Sequence, residues 1–140
     1  MEYAQGGALS SLLQQRQTGL YPNVLIEYAK QIANGMKYLH DEACEHIIHR
    51  DLKCSNSKMM RNSFLFIHLF IYCCLVLILE HVNDVHDDND LITKTLKITD
   101  FGLARTQLQS SSTSAAGTFA WMSPECIRNS EYSTKSDVWR

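Results

Sequence analysis

The 140-residue sequence predicts an α+β fold that is mainly helical, with a few short strands. Three observations support this prediction. Apolar residues recur at helical spacing between Pro22 and Leu39, a short alternating segment runs from Leu96 to Ile98, and the length suits one domain. The 13 Lys and Arg residues balance 15 Asp and Glu residues, so the sequence offers no basic surface for nucleic acid.

Two helices are predicted in the first third of the chain. Residues 8–17 form a short helical pattern with Leu9, Leu12 and Leu13 on one face, and Gly19 follows it. A longer helix begins at Pro22, because a missing N–H is tolerated in the first turn of a helix. This pattern closes at His40 and Asp41, and its apolar stripe comprises Leu25, Ala29, Ile32, Met36 and Leu39.

The remaining segments are shorter. Leu96 to Ile98 predict a strand, and the hydroxyl-rich residues 106–118 predict a surface loop. The acidic stretch from Asp84 to Asp90 lacks the glycine and glutamate that a calcium-binding EF-hand loop needs at fixed positions. We therefore interpret that stretch as a solvated loop.

Three motifs occur in a fixed order along the chain. Residues 49–56 read HRDLKCSN, residues 100–102 read DFG, and residues 123–125 read SPE. They match the protein-kinase signatures HRDLxxxN, DFG and APE, except that Ser123 replaces alanine. DFG alone would be weak evidence, whereas all three in order are specific. The chain resembles a protein kinase, which implies a partial kinase-like fold with a mainly α-helical C-lobe and short β-strands.

The resemblance implies a set of active-site residues and the cofactors ATP and Mg²⁺. Asp51 and Lys53 would be catalytic, with Asp51 accepting or orienting the proton of the substrate hydroxyl. Phe101 would set the direction of Asp100, and Gly102 would supply the backbone freedom of that turn. Asn56 and Asp100 would hold the metal, because Mg²⁺ prefers oxygen ligands. The implied nucleotide contacts are Glu2, Ala4, Lys53, Asn56, Leu77 and Asp100.

The resemblance also implies regulatory and supporting residues. Arg50 would meet a phosphate on the activation loop, where Ser110 and Ser114 are the candidate phosphorylation sites. Thr118 would link Asp51 to Lys53 by hydrogen bonds, and the pair Thr118 and Lys53 is typical of the serine/threonine class. Asp137 would brace the catalytic loop from the following helix.

Four segments narrow the resemblance to the mixed-lineage kinases. Residues 1–7 resemble a kinase hinge, residues 31–40 resemble the helix before the catalytic loop, and residues 94–105 and 114–122 are similar to the mixed-lineage type. The resemblance implies a cytoplasmic MAP kinase kinase kinase that phosphorylates MAP kinase kinases in JNK stress signalling. Family members often homodimerise, through regions that do not occur in these 140 residues.

An apolar run from Phe64 to Leu79 interrupts the motif pattern. It is short for a membrane span, which needs about 20 residues. A span here would also separate Asn56 from Asp100, so we do not expect membrane association. Val76 to Leu79 supply the apolar strand that the family has directly after the asparagine. We interpret residues 57–75 as a non-native insert, such as a retained intron; a genuine insertion and a membrane segment are the alternatives.

Residues 1–140 therefore predict a partial kinase domain, from the hinge to the start of the helix after the activation segment. The sequence contains neither the Gly-rich loop nor the strand lysine of kinases. We expect this chain alone to be inactive. The alternative function is that of a catalytically dead, truncated kinase that acts, if at all, as a binding module.

Overall fold

The computed structural model describes residues 3–16, 19–52, 76–107 and 117–139. It is mainly helical with short antiparallel strands, which confirms the predicted fold class. The elements up to residue 48 are β1 (Gly7–Ala8), α1 (Leu9–Gln15), α2 (Pro22–Lys37), a π-helical turn (Tyr38–Glu42) and β2 (Ile47–Ile48). The later ones are β3 (Val76–Ile78), α3 (Asp88–Leu91), β4 (Leu96–Ile98), a 3₁₀ turn (Phe101–Leu103), β5 (Arg105–Thr106), a second 3₁₀ turn (Phe119–Trp121), α4 (Pro124–Asn129) and α5 (Thr134–Trp139).

The chain forms two compact units. The first comprises residues 1–35 and 54–99, and the second comprises residues 36–53 and 100–140.

The core of the first unit packs α1 and α2 against a small sheet. The sheet has the order β1-β3-β4, with Gly7 opposite Ile78 and Val76 opposite Ile98. Strand β3 confirms the predicted role of the apolar residues that follow position 75. The buried side chains of this core include Leu9, Leu12, Leu13, Val24, Leu25, Tyr28, Ile32, Val76, Ile78, Leu91 and Leu96.

Both predicted helices are present, with differences at their ends. α1 ends at Gln15, two residues earlier than predicted. α2 begins at Pro22 as predicted, but the chain then continues through a π-helical turn in which the Ala43 N–H donates to the Tyr38 carbonyl at 2.8 Å. The sequence stripe also missed Tyr28, which is buried and donates its hydroxyl to the Leu91 carbonyl at 2.9 Å. Burial raises the pKa of this hydroxyl.

The acidic stretch is more ordered than the predicted solvated loop. Asp87 caps α3 by accepting a hydrogen bond from the Asn89 N–H at 2.9 Å. Asp88 forms an ion pair with the buried Arg16 at 3.0 Å, and Asp90 pairs with Lys94 at 2.6 Å. Pairing with these two cations explains why the segment folds. Lys94 is four residues from Asp90, whereas Arg16 is 72 residues from Asp88 in the sequence.

The second unit is built around strands β2 and β5, with Ile47 opposite Thr106 and Ile48 opposite Arg105. The sequence placed Thr106 in a surface loop, whereas the structure places it in a strand. Cross-strand pairing is a non-local contact, so sequence periodicity missed it. The core of this unit contains Ile48, Met122, Cys126 and Tyr132.

No helix among the described residues is long and apolar enough to cross a membrane. Residues 57–75, which include most of the apolar run, lie outside the described residues.

Candidate active site

The segment that carries Asp51 follows directly from β2, and its three residues His49, Arg50 and Asp51 are all buried. Arg50 has φ of 67°, a left-handed conformation that costs free energy for a residue with a side chain. Such a conformation persists only where the surroundings hold it. The surrounding residues therefore hold this segment in a defined conformation.

The carboxylate of Asp137, on α5, accepts hydrogen bonds from this segment. One carboxylate oxygen accepts from the His49 N–H at 2.8 Å, and the other accepts from the Arg50 N–H at 2.9 Å. The Nε2 atom of His40, on the π-helical turn, lies 3.0 Å from Asp137 Oδ2. Because Asp137 is only 3% exposed, these bonds form away from water, and breaking them would leave buried polar groups unpaired. The contacts show the bracing that the resemblance implied for Asp137.

The carboxylate of Asp51 is oriented by Thr118. Both the backbone N–H and the hydroxyl of Thr118 donate to Asp51 Oδ1, at 3.0 and 2.9 Å. The preceding Gly117 has φ of 111°, which an L side chain would not tolerate, so the glycine allows Thr118 to approach in this way. The sequence anticipated the Asp51–Thr118 link, and Lys53, its other member, lies outside the described residues.

In the turn that contains Asp100, the residue with a positive φ is Asp100 itself and not Gly102. Its own φ is 64°, whereas Gly102 is not among the residues with positive φ. The carboxylate residue itself takes the left-handed conformation, so the prediction that Gly102 supplies the freedom of this turn is wrong. Asp100 is exposed, and the next side chain, Phe101, places its ring 5.3 Å from the ring of His49.

The side chain of Arg50 connects two other parts of the second unit. Its Nε–H donates to the Leu103 carbonyl at 2.7 Å, just beyond the turn that carries Asp100. Its guanidinium lies over the ring of Tyr132, 4.9 Å from the ring centre. Sequence reasoning missed Tyr132, because an aromatic residue outside the motifs gives no local signal of an arginine partner.

Ser123, the departure from the family motif, is accommodated by a short chain of hydrogen bonds. The buried hydroxyl donates to Cys126 Sγ at 3.1 Å, and that thiol donates to the Glu131 carbonyl at 2.9 Å. A buried hydroxyl with a partner carries little penalty, so serine can replace alanine here.

Ala4 and Leu77 both belong to the first unit, and both are half-buried. The residues after Ala4 are tied to the end of β3, because Gln5 donates to the Leu79 carbonyl at 2.9 Å and Gly6 donates to the Ile78 carbonyl at 3.0 Å. A Cβ atom at Gly6 would lie 2.5 Å from the Glu80 carbonyl oxygen, so only glycine fits. The predicted site residues Glu2, Lys53, Asn56, Ser110 and Ser114 lie outside the described residues.

Comparison with known proteins agrees with the motif order and with this geometry. The family model described as protein tyrosine and serine/threonine kinase matches residues 1–140. A mitogen-activated protein kinase kinase kinase of Drosophila melanogaster is 48% identical over 139 residues, which are 99% of this chain and 10% of that protein. Human mitogen-activated protein kinase kinase kinases 10 and 11 are 46% and 45% identical over 139 residues, again 99% of this chain, and the match spans 12% and 14% of their lengths.

The chain thus spans between 10% and 14% of the length of these relatives. The predicted resemblance to protein kinases, and within them to the MAP kinase kinase kinases, is confirmed. Because the family model matches the whole length of the chain, and because the three motifs occur in order, this chain belongs to the protein kinase family.

Proposed function

We propose that this chain is part of a serine/threonine protein kinase, which transfers the γ-phosphate of ATP to protein substrates. The observation that carries the proposal is the double hydrogen bond from Thr118 to the carboxylate of Asp51. A threonine at this place, together with a lysine at position 53, is typical of the serine/threonine class. The five contacts of Asp51 and Asp137 support the proposal, because a catalytic group must be held in place by its surroundings.

Asp51 is the proposed catalytic base. Two donors on one carboxylate oxygen fix the plane and direction of the group, as a residue that orients a substrate hydroxyl requires. Acceptance of the hydroxyl proton by a positioned carboxylate contributes about 10²–10⁴ in rate. Thr118 positions this group by contact with it, and Asp137 positions it through the backbone of the preceding residues.

Asp100 and Asn56 are the proposed ligands of Mg²⁺. Their carboxylate and amide oxygens are donors that suit a hard cation, and the exposed position of Asp100 leaves its carboxylate accessible. Bound Mg²⁺–ATP would supply the phosphoryl group, with the metal neutralising its charge. Lys53 would meet the γ-phosphate as a point charge.

Glu2, Ala4 and Leu77 are the proposed contacts of the nucleotide base. The hydrogen bonds of Gln5 and Gly6 to the end of β3 support this assignment, because they tie the backbone beside Ala4 to the strand that carries Leu77. Small-molecule sites are lined mainly by apolar side chains, which Ala4 and Leu77 would supply.

We also propose regulation and partners for this activity. Phosphorylation of Ser110 or Ser114 would place a phosphate where Arg50 can pair with it. The relatives are mitogen-activated protein kinase kinase kinases, so the proposed substrates are MAP kinase kinases. From the resemblance to the mixed-lineage kinases, we place this activity in JNK stress signalling in the cytoplasm.

A chimera tests the proposed activity. The matching residues of the Drosophila relative are replaced by this chain, without residues 57–75, and transfer of labelled phosphate from ATP to a MAP kinase kinase is measured. We expect transfer, and we expect the Asp51→Asn variant to lose about 10²–10⁴ in rate, since it keeps the shape and loses the base.

The control is Asp84→Asn, which changes a carboxylate on an exposed loop of the first unit. It should leave the rate unchanged. Equal rates for the chimera and its Asp51→Asn variant would contradict the catalytic role, and phosphate on tyrosine rather than on serine or threonine would contradict the class.

A further inference from the structure

Tyr132 is a buried aromatic residue that none of the kinase motifs contains. It is 5% exposed and packs in a cluster with Ile48, Met122 and Cys126. Its ring faces the guanidinium of Arg50 at 4.9 Å. Placement of a cation over an aromatic face within about 6 Å is attractive, and the attraction is strongest where water is excluded.

Arg50 needs such a partner because its charge is buried. The residue is 1% exposed, and a buried guanidinium is costly unless hydrogen bonds or charges compensate it. The structure supplies the Leu103 carbonyl at 2.7 Å on one side and the Tyr132 ring on another. Both partners are parts of the protein itself, and neither requires a modification.

The consequence concerns two site segments. Arg50 immediately precedes Asp51, and Leu103 follows Asp100 by one short turn, so the Arg50–Leu103 hydrogen bond joins the segments that carry both carboxylates. This bond depends on the orientation of the guanidinium, which the Tyr132 ring restricts. Asp137 accepts from the backbone N–H of Arg50, which holds the main chain, whereas the Tyr132 ring contacts the guanidinium itself.

We propose that Tyr132 is a positioning residue, whose ring fixes the Arg50 guanidinium against the Leu103 carbonyl and so couples the Asp51 segment to the Asp100 segment. The inference rests on the proposed kinase function for its effect on rate, but the positioning of Arg50 can be measured without any activity. It also predicts that the coupling persists when Ser110 and Ser114 are both replaced by alanine.

Three variants distinguish the effect of the aromatic face of Tyr132 from the effect of hydrophobic packing alone. Tyr132→Phe keeps the aromatic face, Tyr132→Leu keeps an apolar side chain but removes the face, and Met122→Leu alters the same core cluster without a change in the arginine partner. A purely structural role predicts similar effects of the two leucine variants. The proposed role predicts that only Tyr132→Leu affects Arg50.

The first measurement is made on the 140-residue chain by nuclear magnetic resonance of the arginine Nε–H groups. We expect slow hydrogen exchange at Arg50 in the original chain, in Tyr132→Phe and in Met122→Leu. In Tyr132→Leu, exchange should be at least about tenfold faster, given the usual strength of a desolvated cation–π contact. Unchanged exchange in Tyr132→Leu, or equally fast exchange in Tyr132→Phe, would overturn the proposal.

The second measurement uses the chimera with Ser110 and Ser114 retained. Tyr132→Leu should lower kcat about tenfold at unchanged KM for the protein substrate, and Tyr132→Phe should restore it. A rise of KM alone, or an equal loss in Met122→Leu, would refute the coupling. If the chimera has no activity in any form, the proposed function fails, whereas the exchange measurement still decides the positioning of Arg50.

Discussion

A single carboxylate, that of Asp137, determines the conformation of the segment before Asp51. It accepts hydrogen bonds from two consecutive backbone N–H groups and contacts His40. These bonds hold Arg50 in a left-handed conformation that the residue would not choose alone. The residue thus acts on the site from a helix that carries no reacting group.

We expect Asp137→Ala to destabilise the second unit by about 3 kcal/mol, because two buried N–H groups lose their acceptor. Urea unfolding measures this, followed by tryptophan fluorescence. Both tryptophans, Trp121 and Trp139, lie in the second unit and report on it. Asp84→Ala is the control, since that carboxylate is exposed and accepts from the His86 N–H on the same loop. Equal midpoints for the two variants would contradict the role of Asp137.

At the scale of the element, helix α3 is held by two cations, Lys94 just after its end and Arg16 just after the end of α1. Asp90 pairs with Lys94 at 2.6 Å and also accepts from the N–H and the side chain of Asn83. The hydrogen bond from Lys94, followed by those from Asn83, lowers the pKa of Asp90 from 3.8 to about 2. An acid lowered in this way stabilises the fold above pH 3.8 and loses that contribution as the pH falls toward 2.

The Asp90 carboxyl should therefore titrate near pH 2 in the original chain. Lys94→Met should raise that midpoint toward 3.8, because the hydrogen bond from Lys94 is the largest cause of the lowered pKa. The hydrogen bonds from Asn83 remain and keep the midpoint somewhat below 3.8. Carbon NMR of the Asp90 carboxyl over the acid range measures both. Lys94→Arg keeps the charge and serves as the matched control, and an identical midpoint in Lys94→Met would show that the pair has no effect.

The second contact of α3 is the ion pair between Asp88 and Arg16, which is 2% exposed. Arg16→Met should destabilise the first unit by about 2–3 kcal/mol, because it leaves Asp88 without its cation in a largely buried place. Adding Asp88→Leu should recover part of the loss, since both charges are then removed.

Hydrogen exchange of the peptide that covers 88–95 provides the measurement for this pair. Additive effects of the two substitutions would mean that the two groups do not interact. The Arg16 Nε–H also donates to the Gly19 carbonyl at 2.9 Å, so a small part of the loss should persist in the double variant.

At the scale of the whole molecule, the sequence and the comparisons give a kinase-family chain that spans about a tenth of its relatives. Its 140 residues contain no G-x-G-x-x-G motif to cover the phosphates. We expect the purified chain alone to show no phosphate transfer above its Asp51→Asn variant. Clear turnover that this substitution abolishes would contradict the expectation.

Residues 57–75 give a second prediction at this scale. If they are a retained intron, transcript sequencing across codons 56–76 should recover messages that join Asn56 directly to Val76. The chimera without these residues should then transfer phosphate faster than the chimera with them, because β3 would follow the site asparagine as in the family. Messages that all contain the segment would contradict the intron interpretation.

The sequence alone was sufficient for the family, for α1 and α2, and for β3 and β4. Helical and strand periodicity is a local property, and the apolar stripe that ends near Leu39 records which face is buried. The HRD and DFG motifs likewise fixed the identity of Asp51 and Asp100 as candidates, since each motif is a continuous stretch. The link between Asp51 and Thr118 followed from the resemblance as well.

The tertiary structure decided which distant side chains meet. His49 and Asp137 are 88 positions apart, and neither the Arg16–Asp88 pair nor the Arg50–Tyr132 contact leaves a periodic trace in the sequence. The left-handed backbone at Asp100, which the sequence did not predict, is unusual for a residue with a side chain. Local patterns encode elements and motifs, whereas the positioning of the site arises from non-local pairing in a buried environment.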